Sequence, residues 1–169
     1  MVSRSLRGGA ILLAFVCAQA CGSSRDRATN LVEIPADFPG PETRAFVTTL
    51  QERGASVALS EVVPRSTYPY LRTRAVKYVV DGETIEVREY SSEGLASADA
   101  SGISPDGGSF RTNAPGSATE PGVELVVMSE WVLDPHYYRS GRLIVLYAGK
   151  NASLTSLLTS VLGPQIAGR

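Results

Sequence analysis

The stretch Arg72–Tyr90 reads RTRAVKYVVDGETIEVREY. At its centre Asp81-Gly82 is a dipeptide that favours positive φ at both central positions of a two-residue turn, and β-forming residues alternate with polar ones on either side. Such a turn fixes the register. Tyr78 then faces Ile85 and Val76 faces Val87 on one side, while Lys77 meets Glu86 on the other and Arg74 meets Glu89 near the open end. Apolar pairs and opposite charges each fall together, and each such pair contributes about 0.2 to 1 kcal/mol. Turn chemistry, strand propensity and pairing therefore agree on a β-hairpin.

Elements can be read outward from this hairpin. On its N-terminal side Pro41 suits the first turn of a helix, Phe46, Val47 and Leu50 form its apolar stripe, and Gly54 can take the left-handed conformation that stops it. ASVALSEVV, residues 55–63, is a strand that Pro64 ends, and RSTYPYLR crosses over irregularly. On the C-terminal side, SSEGLASADASGI predicts a helix capped by Ser91 or Ser92 that buries Leu95, small Ala residues and Ile103. From Pro105 to Gly122 the chain has almost nothing to bury and reads as a long mobile loop.

VELVVMSEWVL (123–133) and RLIVLYAG (142–149) are near-continuous apolar runs, expected as strands covered on both faces. Between and overlapping them lies EWVLDPHYYRSGR, Glu130–Arg142, read as the end of one strand, a Pro-containing connection and the start of the next. The last element is NASLTSLLTSVLGP. Asn151 caps it, Leu154, Leu157, Leu158, Val161 and Leu162 share a stripe, and Gly163-Pro164 stops it. The order αβββαββα predicts an α+β fold: a mainly antiparallel sheet of about five strands, with two or three helices packed on one face.

The first residues carry Arg4 and Arg7, an apolar run from Ala10 to Ala18, then small residues before Cys21. This is the layout of a secretory signal, and its run is far shorter than the roughly 20 residues a membrane-spanning helix needs. With Ala18-Gln19-Ala20 before Cys21 and the polar GSSRDR after it, the segment resembles a bacterial lipoprotein signal. The resemblance implies a lipobox whose Cys is diacylated and becomes the N-terminus after cleavage. It implies a signal peptide at 1–20; the polar, proline-rich residues that follow read as a flexible tether at 21–40, and a single domain is expected at 41–169. Lipidation would fall on Cys21. Two or three acyl chains anchor a protein stably, so the membrane would be a partner through the N-terminal lipid alone. The implied location is the cell envelope: the outer membrane in a Gram-negative organism, otherwise the outer face of the plasma membrane.

Cys17 would leave with the signal, so the remaining single Cys has no partner for an internal disulfide and makes no Cys-based zinc site. Removing Arg4 and Arg7 from the 16 basic residues leaves 14 against 17 acidic ones, a net charge of −3. That balance does not suit nucleic acid.

Only one His is present, His136, and its nearest acid, Asp134, lies two residues along a turn, a poor geometry for orienting a catalytic ring. No Ser sits in a GxSxG elbow, and one His gives no paired metal-ligand spacing. Neither a metal nor a cofactor is implied, and no catalytic residue is nominated. Trp131, His136, Tyr137 and Tyr138 remain as a candidate ligand or partner surface, because aromatic side chains bring large contact area at low entropic cost. The run from Trp131 to Gly149, with the Leu-rich helix ending LGPQIAG, resembles small uncharacterised secreted or lipid-anchored bacterial proteins, a likeness that implies no activity. These features predict a lipid-anchored extracytoplasmic binding or envelope-interaction module without catalytic activity, whose partner is an envelope protein or glycan. The rival readings are a small-ligand carrier with a pocket between sheet and helices, and a hydrolase that uses His136 or carboxylates brought together by folding.

Overall fold

Asp81 and Gly82 take positive φ of 49° and 88°, as their turn requires. The strands they join pair as expected, Val76 with Val87, Lys77 with Glu86 and Tyr78 with Ile85. The computed structural model describes residues 38–65, 71–112 and 125–169; Cys17 and Cys21 lie outside them. In chain order the elements are α1 (Pro41–Glu52), β1 (Val57–Val63), β2 (Ala75–Val80), β3 (Glu83–Glu89), α2 (Glu93–Ser101), β4 (Ser109–Thr112), β5 (Leu125–Met128), β6 (Pro135–Ser140), β7 (Leu143–Ala148), α3 (Ala152–Leu162) and β8 (Ala167–Gly168). A six-stranded sheet runs β1-β2-β3-β7-β6-β8, with every neighbouring pair antiparallel, and β4 and β5 form a separate two-stranded sheet. The α+β class and the mainly antiparallel sheet hold as expected.

Each face of the large sheet is covered differently. Val76, Tyr78, Ile85, Val87, Val145 and Tyr147 meet Phe46 and Leu50 of α1 and Leu154, Leu158 and Leu162 of α3 in one core. On the opposite face Tyr90, Tyr137 and Ile144 pack with Ala96 of α2, with Ile103, and with Phe110 of β4. The helices therefore do not all share one face: α2 crosses to the other side with the small sheet. Within α2 the buried positions are Ala96 and Asp99, one turn apart, and Leu95 is 37% exposed rather than buried.

Local signals set the helix ends. Asn151 Oδ1 accepts from the amides of Ser153 and Leu154 at 3.0 and 3.2 Å, and Ser92 Oγ accepts from Leu95 N at 3.3 Å. Helix α1 has Pro41 in its first turn, but its N-cap is Gly40, which has no side chain to give. A residue from β3 does that work: Glu89 accepts from the amides of Glu42 and Thr43 at 3.3 and 2.9 Å.

Two readings change. The partner of β7 is not the run 123–133: among the described residues of that run Leu125–Met128 is the strand, and it pairs with β4. The partner is β6, formed by PHYYRS from the middle of the supposed connection. Its turn is Gly141-Arg142, with Gly141 at φ 53°. Glycine at the first central position is what a type II′ hairpin turn asks for. Secondly, the segment 105–122 opens with a turn and then forms β4, because Phe110, 2% exposed, has a core to enter; residues 113–122 lie outside those described.

Candidate functional site

Strand β6 decides where the four candidate aromatics go, because successive side chains on a strand point to opposite faces. Tyr137 and Tyr138 are each 1% exposed, and they belong to different cores. Tyr137 meets Phe110 and Trp131 edge-on, with ring centroids 6.0 and 6.3 Å apart. Tyr138 lies over α3. His136 shares that second face and stacks on Tyr147 at 5.6 Å, with 14° between the rings. The four residues do not form one surface.

Both nitrogens of His136 are engaged. Nε2 lies 3.0 Å from the carbonyl oxygen of Gly149, and Nδ1 lies 2.8 Å from the side-chain amide of Gln165. Both facing atoms, the Gly149 carbonyl oxygen and Gln165 Oε1, only accept, so the ring nitrogen that carries a proton donates to its oxygen. The ring ties β6 to the β7–α3 connection and to the C-terminal segment. Its hydrogen-bond partners include no carboxylate and no hydroxyl.

Of the four, Trp131 lines a cleft. Half-buried, it donates from Nε1 to the carbonyl of Gly107 at 2.8 Å. Local chemistry shapes that acceptor: Asp106 Oδ1 accepts from Ser104 Oγ at 2.6 Å and from Gly108 N at 3.0 Å, closing a turn in which Gly107 takes φ 69°. Those bonds, that of Ser104 first, hold the Asp106 carboxyl below its ordinary value. The cleft is about 470 Å³ and runs along Met128–Pro135, with Asp106, Gly108, Ser109 and Arg169 on its other side. Three large apolar side chains in its lining face solvent: Met128 is 83% exposed, Val132 98% and Leu133 50%.

These aliphatic residues were not among the sequence candidates. A signal existed, since Trp131-Val132-Leu133 followed by Asp-Pro leaves no turn of strand or helix able to bury all three on one side. No family model matches the chain. Neither a curated protein nor a solved structure matches it.

A second cleft, about 440 Å³, opens where β2, β3, β7 and the start of α1 converge, between Phe38, Arg74, Glu89, Tyr90 and Arg142. Its charges largely satisfy one another. Arg142 donates from Nε to Glu42 at 2.6 Å and contacts Glu89 at 3.0 Å, and its backbone amide donates to Glu42 at 2.9 Å. Partial burial works against ionisation of Glu42, but these bonds outweigh it and hold the carboxyl below its ordinary value. Arg74 lies 5.2 Å over the Phe38 ring. Burial, reinforced by Asp99 nearby, pushes the Tyr90 hydroxyl far above the usual phenol range. This cluster caps a helix and joins three strands, and Nη1 of Arg74, buried in its lining, has no hydrogen-bond partner among the described residues. Among the described residues no group of three or more His, Cys, Asp or Glu could hold a metal ion, and no helix is long and apolar enough to cross a membrane.

Proposed function

We propose that the chain is a lipid-anchored, extracytoplasmic binding module that works without catalysis. Cys21 holds it to the envelope, and the cleft beside Trp131 meets its partner. One observation carries the binding half of this reading: Met128, Val132 and Leu133 stand exposed together around a cleft walled by Trp131. Large aliphatic side chains scattered singly need no explanation, whereas a cluster lining a concavity marks an interaction surface. The anchoring half rests on the lipobox-like spacing before Cys21.

Each half has its own experiment. A photo-crosslinking residue at Val132, introduced in cells, should give a discrete adduct that the same residue at exposed Thr84 does not give. Equal adducts at both positions, or none at either, would remove the cleft as the binding surface. Labelled palmitate should enter the wild-type chain and not Cys21→Ala. Incorporation into both would sink the anchor and leave the binding claim standing.

A further inference from the structure

The chemistry around the cleft also narrows what fits it, granted the binding reading above. We propose that the cleft takes a segment of a partner protein in which large aliphatic side chains are flanked by Lys or Arg. Met128, Val132 and Leu133 are the exposed apolar part of the lining, and Asp106, Glu130 and Asp134 place three carboxylates in the same lining against the single cation Arg169. Outside the lining Lys150 reaches only Asp134, at 3.7 Å. Exposed apolar side chains beside carboxylates complement an apolar anchor with basic neighbours, and the charges favour encounter and register as much as affinity.

A glycan fits less well. The exposed apolar groups are aliphatic side chains rather than flat rings that stack on sugars, and the indole N–H of Trp131 is already committed to Gly107. A bilayer also fits less well. An anionic surface is repelled by the carboxylates. The chain enters at Phe38–Pro41 beside Arg142, at the start of β7, whereas Pro135 of the cleft pairs with Ala148 at the end of that strand. Those ends are about 20 Å apart at roughly 3.3 Å per residue.

The test uses the full-length chain reconstituted in phosphatidylcholine vesicles, with the emission of Trp131, the only Trp, as the readout. The probe is the hexapeptide Lys-Lys-Leu-Leu-Lys-Lys, with Glu-Glu-Leu-Leu-Glu-Glu and Lys-Lys-Ser-Ser-Lys-Lys as counterparts and protein-free vesicles as blank. The basic apolar peptide should change Trp131 emission saturably and less so at high salt, and both counterparts should bind at least tenfold more weakly. Val132→Asp with Leu133→Asp should weaken it at least tenfold. Glu130→Lys with Asp134→Lys should weaken it about tenfold and strengthen the acidic peptide, since two exposed attractions become repulsions. Far-UV melting curves of both double variants should overlay the wild type, because the replaced side chains are exposed or half-exposed. Equal binding of the acidic peptide, or indifference to either double substitution, would overturn the proposal, and so would quenching of Trp131 by brominated acyl chains, which would make the occupant lipid. If Val132 crosslinks to a protein in cells while the hexapeptides are not distinguished, this chemistry fails alone. If Val132 gives no adduct, the binding reading fails with it.

Discussion

The tertiary cap on α1 can be broken from either side, and the two breaks should not add. Glu89 is 8% exposed at its side chain, and its carboxylate accepts from the amides of Glu42 and Thr43 and from Arg142. Glu89→Ala leaves two helix-terminal amides unpaired and removes a charge-assisted contact. A lost N-cap costs about 0.5 to 2 kcal/mol and a lost hydrogen bond to a charged group about 1.5 to 3 kcal/mol. Since Arg142 keeps its bonds to Glu42, the expected cost is about 3 kcal/mol, or roughly 10 °C in melting temperature for a domain of this size.

Gly40 reaches the same interaction by another route. Its φ of −64° and ψ of 173° suit alanine, so the backbone raises no objection. The added Cβ, however, would lie 2.4 Å from the Glu89 carboxylate and must displace it from the amides it caps. Gly40→Ala should therefore destabilise the wild type by about 1 to 2 kcal/mol, as a lost cap does. In the Glu89→Ala background the obstruction is gone, and the substitution should be neutral or slightly stabilising through the unfolded chain. Urea unfolding followed by far-UV circular dichroism on the four proteins gives the coupling energy. If the two costs simply add, or if Glu89→Ala costs under about 1 kcal/mol, Glu89 is not the cap.

Three further outcomes follow from the packing. Phe110→Ala should cost about 3 to 5 kcal/mol by urea unfolding, because the ring is 2% exposed; a cost below 1 kcal/mol would return the start of segment 105–122 to the status of a loop. Gly168→Ala should strip β8 from β6, since Gly168 has φ 114° and a Cβ there would lie 1.8 Å from the Pro135 carbonyl oxygen; amide exchange should accelerate at Ile166 and Arg169, which donate to Tyr137 and Pro135, and unchanged protection would contradict that pairing. Glu42 has a folded pKa below its unfolded one, so it adds stability that is full above the ordinary carboxylate value of about 4.3 and disappears as the pH falls through the lowered value. Glu42→Gln should thus lose stability relative to wild type at pH 7 and less so at pH 3, and a constant difference across that range would exclude the linkage.

Residues 72–90 were legible because Asp81-Gly82 is a turn with its own chemistry, and a fixed turn leaves the flanking strands one register. Helix starts at Pro41, Ser92 and Asn151 were legible for the same reason, each being a local signal. Strand β6 was not. It is covered on both faces, so PHYYRS shows no alternation of apolar and polar residues, and the longer run 123–133 looked the better partner for β7. Gly141 was the local signal for the true turn. The Glu89 cap carried no local signal at all, because its amide partners lie 46 and 47 residues away in the chain. The exposure of Val132 and Leu133 follows from the same misplaced strand: with the strand starting at Pro135, those residues fall in the connection rather than in the core.

The β6–β7 hairpin has one end closed and one end open, which separates stability from binding. At its turn, Arg142 is held by Glu42 and Glu89 against the start of α1, so that end is locked by charge and by the cap. At the other end, beside Pro135 and Ala148, the chain leaves aliphatic groups in water and surrounds them with carboxylates. Burying those groups would have been favourable at about 25 cal/mol per Å², so leaving them exposed costs stability that a partner can recover. Sites about 20 Å apart with no shared partners usually act independently. Substitutions at Glu89 or Gly40 should then move the unfolding midpoint without changing discrimination among the hexapeptides. Substitutions at Val132 and Leu133 should do the reverse, with Val132→Asp leaving the midpoint unchanged or slightly raised. A variant at either end that moved both quantities together would mean that the sheet transmits strain along the hairpin, and the cleft would then have to be treated as part of the folding unit rather than as a surface carried by it.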